Sequence, residues 1–166
     1  MHRRLTFFVV LIVALLLQLT VAPEISIGMV KPDLLLVTTI CWALFGGSGQ
    51  GALFGFFGGL LEDIFSTAVL GVSAFTKTLL GYFCGELRQR VISKSVIWPM
   101  IIVFFGSILG EVTKFATWAM VGLEGRPSFS IGIVAGFALY NAIITLLVYP
   151  ILGRVAVREE VAMMFQ

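Results

Sequence analysis

Charge is the first thing this chain lacks. Only 12% of its 166 residues are Asp, Glu, Lys or Arg, against about 25% in an average soluble domain. So little polar surface cannot cover a globule in water, which excludes an ordinary soluble fold. Histidine is nearly missing too: the single one is His2, at the terminus, so no buried imidazole is available for proton shuttling. Two cysteines, Cys41 and Cys84, give no disulfide framework. Neither has a His or Cys at metal-ligand spacing, so both read as small buried hydrophobes. There is no basic stripe, zinc spacing or RNA-binding signature, which excludes a nucleic-acid partner.

What is present instead is apolar. Hydrophobic residues make up 59% of the chain, and the mean hydropathy is +1.07. The few charges cut the sequence into apolar stretches at 5–22, 34–61, 70–85, 96–122 and 128–152. About 20 residues of helix cross a hydrocarbon core, so four of these are single spans. The first follows Met1-His2-Arg3-Arg4 and is longer than the roughly 7–15 residues of a cleavable signal core. With Thr20-Val21-Ala22-Pro23 a poor cleavage site, it reads as an uncleaved first span.

The stretch 34–61 is too long for one span, at about 42 Å as a single helix. It contains the breaker run Gly46-Gly47-Ser48-Gly49-Gln50-Gly51. Positive charge favours the cytoplasmic side of a membrane. A turn at 46–50 places Arg3, Arg4, Arg88, Arg90, Lys94, Arg154 and Arg158 inside, with Lys31 and Arg126 outside: seven against two. One continuous helix leaves three inside and six outside. The expectation is therefore an all-α integral membrane protein, a single polytopic domain over 1–166. Its spans fall at about 5–22, 33–47, 48–66, 70–87, 96–122 and 128–152, with both termini cytoplasmic.

In lipid, helices associate by close backbone approach at small residues. Gly47, Gly51, Gly55 and Gly59 recur every four residues, and Gly81/Gly85, Gly106/Gly110 and Gly132/Gly136 repeat the spacing. These stripes predict a tightly packed bundle, or a face turned to another protein. Phe54, Phe56, Phe57, Phe83, Phe104 and Phe105 fill gaps or face lipid, and Trp42, Trp98 and Trp118 are expected at headgroup level.

Charges inside spans are costly and mark interior pairs or functional paths. Lys77 lies within the fourth span, and Glu111 and Lys114 share a face of the fifth at i, i+3. The favoured expectation is a self-neutralising Glu111–Lys114 pair, with Lys77 compensated by a carboxylate from elsewhere, such as Asp63. A relay needs a chain of titratable groups, and none is evident. The adjacent Glu62 and Asp63 point about 100° apart on a helix, and Ser66 and Ser73 have no base at motif spacing. No catalytic, cofactor-binding or metal-binding residues are indicated.

The remaining signals are local. Pro32-Asp33-Leu34-Leu35 opens the second span, and Gly59-Leu60-Leu61-Glu62-Asp63-Ile64-Phe65-Ser66 closes the third. Leu70-Gly71-Val72 leads into the fourth, and Asn141, Pro150 and Arg154 mark the last. Together these resemble the MreD family of bacterial rod shape-determining membrane proteins. Its most recognisable stretch runs Gly, two or three apolar residues, Asp, two apolar residues, Ser, then Leu-Gly. The resemblance covers the whole chain, and Glu62 and Lys77 depart from it, since apolar residues are commoner at those places.

The resemblance implies a fold like the substrate-binding (S) subunits of energy-coupling-factor vitamin transporters. It also implies a non-enzymatic member of the cell-elongation machinery in the bacterial inner membrane. Such a protein binds MreC, a single-span protein with a large outer domain. Through MreC it influences a SEDS-type glycosyltransferase and a class B penicillin-binding protein in peptidoglycan synthesis, with a dimer of the complex possible. The rival expectation is a vitamin-transporter subunit of that same fold. Short outer loops, poor in polar and aromatic groups, favour the scaffold. For the residues themselves, Asp63 and Ser66 are expected to cap backbone donors near the turn, and Gly71 to start the fourth helix in a glycine conformation.

Overall fold

The computed structural model describes residues 2–28, 30–65, 70–88, 95–121 and 130–164. Six α-helices are present among them: α1 (His2–Glu24), α2 (Leu34–Gly46), α3 (Ser48–Phe65), α4 (Val72–Glu86), α5 (Ile97–Val121) and α6 (Ile131–Met164). Between α1 and α2 the chain makes a tight turn in which Ile27 and Val30 exchange backbone hydrogen bonds and Gly28 takes φ +61°.

α2 is apolar on every side, and such a helix belongs in the centre of a bundle. All of Leu34 to Leu44 is buried. α3, α4 and α6 make its largest contacts, with α1 and α5 completing the shell, whereas α1 and α6 barely touch each other. The outer faces stay apolar: Phe8, Ile12, Leu16 on α1, Phe105 and Leu109 on α5, and Leu139 and Leu147 on α6 are exposed, as lipid-facing residues would be.

The stretch 34–61 is broken where the glycine run suggested. α2 ends at Gly46, and Gly47 caps it at φ +86°, its N–H donating to the Ala43 carbonyl at 2.7 Å. α3 then returns antiparallel, with Gly51 against Ala43 and Gly58 against Leu35. α3 and α4 form the closest pair in the molecule. A Cβ at Gly55 would fall on the Lys77 carbonyl, one at Gly59 on the Ser73–Ala74 backbone, and one at Gly85 on Ser48. Gly51 and Gly81 meet backbone to backbone. The stripe therefore packs against α4 of the same chain.

Several expectations change. Gly47 is a turn residue, with only the Arg88 guanidinium near its Cβ position at 3.9 Å. Gly106 and Gly110 receive the side chains of Ile40, Leu36 and Leu80, and Gly136 meets only Val30. Trp42 is not at an interface: it is buried in the centre, stacked on Phe54 at 5.7 Å between ring centroids, with its Nε1 unpartnered. α2 is the central helix, so its aromatic fills the core and not the headgroup layer. Trp98 is exposed at the start of α5, and the Trp118 side chain lies outside the description. α6 continues past 152 to Met164, because Pro150 removes one donor without ending the helix. Cys41 and Cys84 are free and buried.

Candidate functional site: a charged hub

The N-terminus of α2 brings charge into the bundle. Asp33 caps the helix, its Oδ1 accepting from the Leu36 N–H at 2.8 Å. Its own N–H donates to Asn141 Oδ1 of α6 at 3.0 Å, and Asn141 Nδ2 donates to Ser107 Oγ of α5 at 3.0 Å. From α1, Gln18 accepts from the Leu34 N–H at 2.6 Å and donates to the Pro32 carbonyl at 3.3 Å. The N–H groups of Asp33 and Leu34 and the Pro32 carbonyl are thus met by side chains of α6 and α1, and the Leu36 N–H by the cap residue itself, as burial away from water requires.

The second Asp33 oxygen faces two ammonium groups. Lys77 Nζ of α4 lies 2.7 Å from Asp33 Oδ2 and 2.5 Å from Glu62 Oε2 of α3. Lys114 Nζ of α5 lies 3.5 Å from the same Asp33 oxygen and 3.2 Å from Glu111 Oε1. The Lys77 side chain is fully buried, whereas Lys114 and Glu111 are 23% and 32% exposed. Lys114 also sits over the Phe137 ring, 5.9 Å from its centroid. Three carboxylates and two ammonium groups thus form one connected cluster in the apolar interior.

Lys77 is compensated, but by Asp33 and Glu62, not by Asp63. Asp63 has a different task. Its carboxylate accepts from the N–H groups of Gly71 (2.9 Å), Ser73 (3.1 Å) and Ala74 (3.2 Å), so a side chain of α3 caps the N-terminus of α4. Gly71, at φ +98°, occupies the left-handed region that a side chain would resist. Ser66 lies outside the described residues. Leu70 is 65% exposed. Gly59 belongs to the α3–α4 contact and Pro150 to the exposed side of α6. Arg154 is exposed one turn later, while its neighbour Gly153 receives the Phe45 ring at 3.2 Å.

Sequence reasoning missed Gln18, Ser107 and the pairing role of Asp33 and Glu62. Gln18 and Ser107 are isolated polar residues in apolar spans, and that isolation was the available signal. Each is now seen on a buried backbone or amide group.

Helices buried on one side and apolar on the other, with their charges gathered inside, define a polytopic membrane protein. Leu5–Glu24, Ile97–Thr117 and Ile131–Ala156 are each long and apolar enough to cross a bilayer. A family model described as rod shape-determining protein MreD matches residues 1–155. The chain belongs to the MreD family; it is an inner-membrane protein with a role in rod shape determination. No curated protein matches it, and no solved structure does.

Proposed function

We propose that the chain is a non-enzymatic scaffold of the cell-elongation complex, which binds an MreC-like single-span protein and through it supports peptidoglycan synthesis. The observation that carries this reading is the family match over 1–155. The hub supports it physically. Its charged groups come from the α2 cap, α3, α4 and α5 and are engaged with one another, with α1 and α6 held to the same junction by Gln18 and Asn141, an arrangement suited to holding a fixed outer surface. In this reading α1 to α6 are six spans with both termini cytoplasmic, in a fold like the S subunits of energy-coupling-factor transporters. α2 and α4, at 13 and 15 residues, reach about 20 and 22 Å. They are short for a core of roughly 30 Å, which central burial of α2 and local thinning beside α4 accommodate.

The test is capture and depletion. Purified in mild detergent, the chain should bring down a single-span partner with a large outer domain, without added nucleotide, metal or vitamin. Cells depleted of it should round up. Rounding reversed by one nutrient, with no such partner recovered, would establish the transporter reading instead.

A further inference from the structure

The hub is not neutral. Asp33, Glu62 and Glu111 oppose Lys77 and Lys114, which leaves a formal charge of −1. Asp63, next to Glu62, adds its own charge but spends its oxygens on three backbone N–H groups of α4. Among the described residues, α1 and α6 supply only neutral groups to it: Gln18 from α1, and Asn141 from α6. A surplus charge in the membrane region is costly unless something compensates it.

The three carboxylates are not equivalent. Asp33 is 4% exposed and caps α2, and Glu62 is 16% exposed and lies 2.5 Å from Lys77. Glu111 is the most open at 32%, and its one ion pair among the described residues is with the shared Lys114, at 3.2 Å. Without Glu111 each ammonium would still have a carboxylate, Lys114 keeping Asp33 at 3.5 Å. Glu111 is therefore the group the hub can spare. It follows Ser107 by four residues and so lies on the same flank of α5, the flank where Ser107 bonds Asn141 of α6. It stands 14 residues into a 25-residue apolar helix, about 21 Å along it, beyond the reach of one headgroup layer.

We infer that Glu111 docks a basic side chain, Lys or Arg, carried by the partner's transmembrane helix as it runs along the α5–α6 seam. This rests on the scaffold reading and names its point of contact. The incoming cation cancels the surplus charge, and the ion pair fixes the depth and rotation of the partner helix against α5. A carboxylate kept for a partner should be dispensable to the isolated fold.

The experiment compares wild type with Glu111→Gln, Glu111→Asp, Glu111→Lys and, as a control outside the hub, Glu86→Gln at the exposed end of α4, each co-expressed with the MreC-like partner and captured in mild detergent. It also records the melting midpoint of each chain alone. Glu111→Gln should lower capture by about tenfold or more, the effect of one lost interfacial ion pair, with an unchanged or raised midpoint. Glu111→Asp should retain capture, Glu86→Gln should leave it within about twofold, and a Lys or Arg to Glu change in the partner's span should restore capture by Glu111→Lys. Undiminished capture by Glu111→Gln overturns the inference and leaves the scaffold reading standing. So does a midpoint that falls together with capture, which would assign Glu111 to the fold, or the failure of every partner charge swap to rescue. Failure of the wild type to capture any single-span partner overturns both readings.

Discussion

Lys77 and Asp33 are 44 residues apart in the chain, yet their charged atoms meet at 2.7 Å inside the bundle. The contact joins the middle of α4 to the N-cap of α2. It converts two residues that are each unfavourable in lipid into a fixed crossing point of the fold. Glu62 completes the arrangement from α3, so the α3–α4 pair is tied to the central helix by charge as well as by packing.

The charge count makes a first prediction. Lys77→Met leaves three carboxylates to one ammonium and should cost about 3–5 kcal/mol, the usual penalty for stranding a buried charge. Glu62→Gln leaves two of each and should cost far less. Thermal unfolding in detergent compares them, and equal losses would show that Lys77 matters by its packing alone.

The Glu111–Lys114 pair is compensating but unequal, because Lys114 also reaches Asp33. Lys114→Met should therefore destabilise the chain, which Glu111→Gln by itself should not. Adding Glu111→Gln to Lys114→Met should recover part of the loss, a positive coupling of about 0.5–3 kcal/mol in a double-mutant cycle. Strict additivity would mean the 3.2 Å contact carries no energy.

Glycine positions separate packing from turn geometry. Gly55→Leu should abolish the folded α3–α4 pair, since even a Cβ there meets the Lys77 carbonyl. Gly47→Ala should cost about 1–2 kcal/mol through its positive φ, although its Cβ has room. Gly49→Ala, with open space and an ordinary helical backbone, should be neutral or stabilising. Val112, exposed on α5, is the proper site for a mild control; Val103 is fully buried and is not. Expression and melting midpoint of these variants would check the order, and a wild-type Gly55→Leu would refute the crossing.

Asp63 tests the cap. Asp63→Asn keeps one acceptor oxygen for the α4 N–H groups and should be tolerated, whereas Asp63→Leu strands them at roughly 1–3 kcal/mol for each buried group left unmet. Both variants should insert normally. Equal loss of partner capture by both, with stability intact, would instead assign the charge to an intermolecular contact.

Topology is open to thiol labelling. Cysteines at Gln89 and Gly125, which both lie outside the described residues, would be placed in a background lacking Cys41 and Cys84. An impermeant reagent on intact cells should reach position 125 and not position 89, because seven of nine flanking cations fall on the cytoplasmic side in the six-span arrangement. The reverse pattern would invert the molecule.

The amino-acid sequence by itself determined the solvent, the six helices seen among the described residues and where the second long stretch breaks. These follow from local properties: hydropathy over a span, and glycine at a position that needs positive φ, as at Gly47 and Gly71. It also marked Lys77, Glu111 and Lys114 as charges that need partners, because a charge in an apolar run is conspicuous without any coordinates. Which carboxylate meets Lys77 was decided only by the tertiary structure. Glu62 and Asp63 are neighbours in the chain, but helix geometry turns them about 100° apart. Glu62 therefore points at the hub, while Asp63 points at the α4 backbone. Asp33 could be read locally as the start of a helix. Its role as the common partner of two lysines depends on α2 passing through the middle of the bundle, where α4 and α5 can both reach it. That placement is a property of how the helices pack, and no window of the sequence contains it.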